Sequence, residues 1–279
     1  MSAISAATVK SLRDRTNAPM MDCKVALTEA NGDIEAAVAI LRKKNASIMA
    51  KKGDRETAEG RVAFHIDAAK KIACLIEVRC ESGPVTNSEH FVSLANDLAS
   101  QVVVSNPACV TSLVAQDFHK EPARKVTDRI SDVVGLIREN MKPARFTRLE
   151  GGLFGTYIHH DGTVGVLIQV EGATINDVAL RDVCMHIAAK NPVAGTREEI
   201  SQDVVDREME IARTQAAATG KPANIIEKIA EGKVKTWFAD NVLLEQPFVK
   251  EEKKTVGEIL SAAGLKFVRF VRYRVGELS

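Results

Sequence analysis

Reactive side chains are sparse in this sequence, and their spacing argues against catalysis. His159-His160-Asp161 is the densest titratable cluster. Read as part of a strand, neighbouring residues point to opposite faces, so the two imidazoles would not converge on one metal ion or substrate atom. Polar residues at an exposed hairpin tip, or a contact with a partner protein, account for the cluster better. Gly151-Gly152-Leu153-Phe154-Gly155 has the glycines of a phosphate loop without its lysine. The patterns GxxxxGK[ST], GxSxG and HExxH are all missing. The five cysteines (Cys23, Cys74, Cys80, Cys109, Cys184) form no CxxC pair and no zinc spacing with histidine. Most sit in apolar runs such as Ile72-Ala73-Cys74-Leu75-Ile76, the habit of reduced core thiols in a reducing compartment. The expectation is a chain with no catalytic residues, no metal and no cofactor.

Composition points the same way. The 279 residues suffice for two or three modules, and 45% apolar with 27% charged residues is ordinary for a packed globular protein. Lys plus Arg number 38 against 37 acidic residues, a net charge of +1 that gives no pull toward nucleic acid or an anionic membrane. No apolar run approaches the roughly 20 residues needed to span a bilayer, and Met1-Ser2-Ala3-Ile4 does not begin a signal peptide. A cytoplasmic protein is expected, with a protein partner.

The elements that would position contact residues start with a helical module over residues 1–44. Val9 and Leu12 mark a first helix closed by Thr16-Asn17-Ala18-Pro19, and a second runs from Met20 to about Ala30, stopping at Asn31-Gly32. Asp33 caps a third, whose Ile34, Ala37, Val38 and Leu41 share one face and whose last turn holds Arg42, Lys43 and Lys44. Residues 45–59 are polar and read as a solvated linker or helix extension. Their lysines lack interleaved aromatics for base stacking, against a nucleic-acid patch.

From residue 60 an internal repeat appears. In the first copy, strands alternate at Val62, Phe64, Ile66 and at Ile72, Cys74, Ile76, Val78. A helix with Phe91, Ala95, Leu98 and Val102 on one face then ends at Asn106-Pro107. The second copy has a strand at Phe154–His159, an Asp161-Gly162 turn and a strand through Val164, Val166, Ile168 and Val170. Its helix carries Leu180, Val183, Cys184 and Ile187 and ends at Asn191-Pro192. Between them Val126, Ile130, Val133, Val134 and Ile137 define another amphipathic helix. The fold class is α+β, with core subdomains over residues 60–143 and 144–279. A helical hairpin is inserted at about 198–240, with stripes Val205, Met209, Ala212, Ala216 and Ile226, Ile229, Lys233, Trp237 either side of Ala218-Thr219-Gly220-Lys221-Pro222. Phe267 to Val275 reads as a last strand. The bundle, the two repeats and the hairpin offer four surfaces for protein contact.

The run Val9-Lys10-Ser11-Leu12-Arg13-Asp14-Arg15-Thr16-Asn17-Ala18-Pro19-Met20-Met21-Asp22-Cys23-Lys24-Val25-Ala26-Leu27 strongly resembles the signature of the elongation factor Ts family. Gly155-Thr156-Tyr157-Ile158-His159, Met185-His186-Ile187-Ala188-Ala189, Gln246-Pro247-Phe248-Val249 and Val271-Arg272-Tyr273-Arg274-Val275-Gly276-Glu277 fit it too. The resemblance implies a ubiquitin-associated-like amino-terminal bundle, a duplicated core and an inserted coiled coil. It also implies a guanine nucleotide exchange role on elongation factor Tu, promoting GDP release and magnesium dislocation. Family members grip the partner's nucleotide domain at positions matching Arg13, Met20 and Met21, and its distal domain through a histidine matching His159. Whether the protein forms a homodimer is left open.

Two departures stand out. The family's Thr-Asp-Phe-Val segment, whose Asp-Phe pair wedges near the partner's magnesium site, is matched here by Ser82-Gly83-Pro84-Val85. Acidic group and aromatic wedge are both missing, so a rival expectation is a binding paralogue with weak or no exchange. The sequence also stops soon after the last strand, where some members carry a further helical module.

Overall fold

The computed structural model describes residues 4–218, 220 and 222–277. Thr219 and Lys221, in the expected break of the helical hairpin, lie outside the described residues. The chain divides into two compact units, one within Met1–Leu149, Ile158–Gly165 and Tyr273–Ser279, the other within Glu150–Tyr157 and Val166–Arg272.

The first unit begins with α1 (Ala6–Thr16), α2 (Met20–Glu29) and α3 (Ile34–Lys52). Ser5 caps α1 by accepting the Thr8 N–H, and Asp33 caps α3 by accepting that of Ala36. Asn17 turns the chain out of α1 with φ 54°. Leu12, Cys23, Leu27, Ala37 and Leu41 form the small core of the three helices. The basic residues Arg42, Lys43 and Lys44 do not end α3, as their place suggested; they are mid-helix, and the last turn holds Lys51 and Lys52. Of the two readings for residues 45–59, linker or helix extension, residues 45–52 take the second: they stay helical because Ile48 and Met49 pack against the neighbouring core cluster.

Strands β1 (Glu59–Asp67) and β2 (Ile72–Cys80) pair antiparallel from Glu59 opposite Cys80 to Asp67 opposite Ile72. Helix α4 (Glu89–Ser105), short α5 (Val110–Ala115), β3 (Asp117–Phe118), β4 (Glu121–Lys125), α6 (Val126–Ile137) and β5 (Met141–Glu150) follow, with sheet order β1-β2-β5. The alternation expected of a one-sided sheet fails at two places. Phe64 is exposed whereas Val62 and Ala63 are both buried, and central β2 is buried on both faces. That burial encloses Glu77, 1% exposed, whose carboxylate meets Arg79 Nη1 at 3.0 Å, Arg145 Nε at 2.7 Å and the Gly276 N–H at 3.1 Å.

The second unit holds most of β6 (Leu153–Ile158), β7 (Val164–Gly172) and β10 (Leu265–Arg274), in sheet order β10-β7-β6, together with α7 (Asp177–Lys190), α8 (Gln202–Ala217), α9 (Ala223–Asn241), β8 (Pro247–Phe248), β9 (Glu251–Thr255) and α10 (Val256–Ala262). The α8–α9 hairpin buries Ala212, Ala230, Val234 and Phe238 together. The α9 stripe is therefore one residue out of phase with that expected from Ile229 and Lys233: Ala230 sits against the small residues of α8, and Lys233 is exposed.

The duplication is written in caps as well as in elements. Asn106 ends α4 at φ 45°, ψ 58°, and Asn191 ends α7 at φ 48°, ψ 57°. It also extends further than expected. Gln116 and Gln246 each accept the first N–H of the following helix, from Val126 at 3.0 Å and Val256 at 3.1 Å. Lys120 reaches Asp97 at 2.7 Å just as Lys250 reaches Asp182 at 2.6 Å.

Candidate functional site

Arg13, Met20 and Met21 come from the end of α1 and the start of α2, where Pro19 opens the second helix. Arg13 is exposed; Met20 and Met21 are 55% and 67% exposed, with Val25, one turn on, at 47%. Three large apolar side chains are thus exposed together on one short helix, an apolar patch rather than scattered single residues. Asp22, beside them, is held the other way: its carboxylate accepts from Lys44 Nζ at 2.8 Å and Arg138 Nη2 at 2.5 Å. Asn45 Nδ2 donates to Asp132 at 3.3 Å, and α3 meets α6 at Gly135, where a Cβ would lie 2.1 Å from Asn45 Oδ1. The bundle is thus docked on the first core subdomain.

Ser82 leads into a 3-10 turn over Gly83–Asn87, with Pro84 in its first positions. Glu139 holds Ser82 by amide (3.0 Å) and hydroxyl (2.5 Å). Gly83 and Pro84 are exposed, while Val85 packs on the core. The turn presents an uncharged tip, with neither a carboxylate nor an aromatic ring.

His159, expected to end the strand begun at Phe154 with His160 on the opposite face, does not. Strand β6 stops at Ile158, and the pair lies in the turn, ring centroids 4.3 Å apart and tilted by 58°. The His159 N–H donates to Val164 O, and the Gly162 N–H to His159 O, both at 2.8 Å. Gly162 is the residue that lets the backbone turn back, at φ 77°. Asp161 spends its carboxylate on Thr163, accepting from its N–H at 2.9 Å and its hydroxyl at 2.8 Å. Partial burial pulls that carboxyl upward, but the Thr163 bonds outweigh it and hold it below the usual range. Among the described residues no cluster of three His, Cys, Asp or Glu could hold a metal.

Two of these segments share one anchor, which sequence reasoning missed. Val62 N–H donates to Gly162 O at 2.8 Å, and Arg61 beside it donates to Thr86 O at 2.6 Å and to Asn87 Oδ1 at 3.3 Å. The start of β1 therefore fixes both the His159 turn and the turn beginning at Gly83. The residues holding the other segments, Glu139 and Arg138, were missed too. Their partners are 57 and 116 positions away, and no local pattern marks them. Four cysteines are buried and free, with burial pushing Cys80 up to about 12. Cys109 is exposed at the start of α5, where bonds from the Ser112 N–H and hydroxyl lower its pKa.

Comparison with known proteins places the chain. The family model described as Elongation factor TS matches residues 84–277. The Elongation factor Ts of Thioalkalivibrio sulfidiphilus (strain HL-EbGR7) is 43% identical, over 98% of this chain and 92% of that protein. That of Clostridium botulinum (strain Alaska E43 / Type E3) is 38% identical, over 98% and 93%. The chain belongs to the elongation factor Ts family, whose members are translation elongation factors of protein biosynthesis.

Proposed function

We propose that the chain binds elongation factor Tu in its GDP-bound form and promotes release of GDP and dislocation of magnesium, so that GTP can bind. It acts in the cytoplasm as an exchange factor, with no chemical step and no cofactor of its own. The observation that carries this reading is the Met20-Met21-Val25 surface, exposed on a helix whose opposite face is buried. Methionine suits an adaptable contact, and Arg13 adds a fork of donors for a carboxylate or carbonyl. His159, in its fixed turn, supplies a second contact, and the Ser82–Val85 turn faces the magnesium region of the partner.

Physically this is a coupling free energy between two ligands of one GTPase. The factor favours the nucleotide-free conformation, so GDP must weaken factor binding by the same ratio that the factor weakens GDP binding. A coupling of about 3 kcal/mol corresponds to about 150-fold. Calorimetric titration of elongation factor Tu with this protein, nucleotide-free and then saturated with GDP, tests it. The affinity should drop by a large factor with GDP, and equal affinities would refute exchange.

A second reading has its own observation. The exposed Gly83-Pro84 tip carries no acidic or aromatic side chain, so the chain could dock on the same partner without efficient exchange. Tight binding that is insensitive to GDP would favour it.

A further inference from the structure

Residues Arg138, Glu139 and Asn140, just beyond α6, hold both the amino-terminal bundle and the Ser82–Val85 turn. We propose that they form a junction setting one surface against the other, with Arg138 and Glu139 as positioning residues for nucleotide release. The inference rests on the exchange reading above.

Helix α6 ends because Arg138 turns left-handed, φ 66° and ψ 27°, its N–H bonding Val134 O at 2.8 Å. After that turn the three residues serve three different segments. Arg138 Nη2 donates to Asp22 at 2.5 Å, next to Met21. Glu139 accepts from Ser82 N at 3.0 Å and Ser82 Oγ at 2.5 Å. Asn140, 4% exposed, donates its N–H to Glu81 Oε1 at 2.6 Å, and its Nδ2 to Gly53 O at 3.1 Å and Arg55 O at 2.8 Å, where the chain leaves α3.

A carboxylate taking both donors of one serine fixes that residue in direction as well as place, and charge strengthens both bonds. The tip of the turn needs such an anchor: a Cβ at Gly83 would meet no atom within 4 Å, so nothing packs there. Its position is inherited from Ser82 on one side and from Val85 and Arg61 on the other. Asp22 is likewise shared between its own module, through Lys44, and the junction, through Arg138. The two ties leave from consecutive residues of one short segment, so a displacement of the bundle reaches the turn through a single peptide unit.

The test uses Glu139→Ala, Glu139→Gln and Arg138→Ala in the full chain. In the free protein, hydrogen exchange at the Ser82 amide should lose protection in Glu139→Ala and keep it in Glu139→Gln, whose side-chain oxygen still accepts. In GDP release from elongation factor Tu, Glu139→Ala should lower the maximal rate about tenfold, the scale of a charged hydrogen bond, with little change in the half-saturating concentration. Glu139→Gln should restore most of the rate, and Arg138→Ala should raise the half-saturating concentration instead. A Glu139→Ala protein with an unchanged melting temperature and an unchanged maximal rate would overturn the proposal. Should Glu139→Ala fail to fold, Glu139→Gln and Arg138→Ala decide: equal, unsplit effects on both kinetic constants refute it. If the unaltered protein does not speed GDP release, the exchange reading fails, and unchanged Ser82 exchange in the variants then refutes the junction separately.

Discussion

Gln101 and His186 hold the same position in the two halves of the core, each five residues before a left-handed asparagine. Each fastens the small hairpin that follows. Gln101 Oε1 accepts from the His119 N–H at 2.8 Å, with His119 Nδ1 at 3.0 Å. His186 is completely buried, with Nε2 2.8 Å from Gln246 Oε1 and Nδ1 accepting the Val249 N–H at 3.3 Å. One half uses an amide that never titrates; the other uses an imidazole that must stay neutral.

That difference predicts acid sensitivity. Burial lowers the pKa of His186, opposed by the Gln246 bond and helped by Lys190. Burial, with Lys120, also lowers His119. Between the lowered folded value and the ordinary value of about 6.5, the unfolded chain binds more protons than the folded one. This contribution to stability is therefore complete above about 6.5 and is lost as pH falls through the folded values. Melting temperature should drop between pH 7.5 and pH 5, and less steeply in His186→Gln, which installs the residue of the other half. Parallel curves for the two proteins would refute the assignment.

Glu77 predicts a large cost in the first unit. Removing this carboxylate strands Arg79 and Arg145 in a mostly buried site, and Arg145 also lies 4.3 Å above the Tyr273 ring. Loss of one member of a buried ionic group costs about 3–5 kcal/mol. Chemical denaturation of Glu77→Ala should show a loss of at least about 3 kcal/mol. A loss under about 1 kcal/mol would place the network among surface pairs.

The exposed methionines predict the opposite pattern. Arg13 and Met21 are both exposed, so Met21→Ala and Arg13→Ala should shift stability by no more than about 0.5 kcal/mol. Each should nevertheless weaken binding to elongation factor Tu about tenfold, as truncation of a contact residue does. Titration calorimetry with paired melting scans checks both halves of the statement. Unchanged affinity for both variants would remove the bundle from the interface.

The Gly83-Pro84 tip separates the two functional readings. Gly83→Asp combined with Pro84→Phe places an acid and an aromatic ring where the tip now has neither. A factor already working through the bundle, His159 and the turn as it stands should gain no more than about tenfold in GDP release, about 1.4 kcal/mol in barrier. A gain of several hundredfold would show a docking protein whose release turn had been lost.

The fold was legible where local chemistry decides it. Asp33 and Asn17 gave the helix ends of the bundle, Asp161-Gly162 gave a hairpin, and Asn106-Pro107 with Asn191-Pro192 marked the repeat. Tertiary burial decided the rest. Ile48 and Met49 carry α3 past its basic residues, and β2 is enclosed on both faces, so strict alternation misplaced Phe64. The longer extent of the repeat was readable in Gln116, Phe118, Lys120-Glu121 against Gln246, Phe248, Lys250-Glu251. The anchors of the candidate site were not, because Arg61, Arg138 and Glu139 act on residues 25 to 116 positions distant.

The most direct measurement is the release rate of a fluorescent GDP analogue from elongation factor Tu, by stopped flow, over a titration of this protein. The account predicts acceleration that saturates with concentration and is diminished in Met21→Ala. No acceleration at saturating protein, with binding established separately, would contradict it.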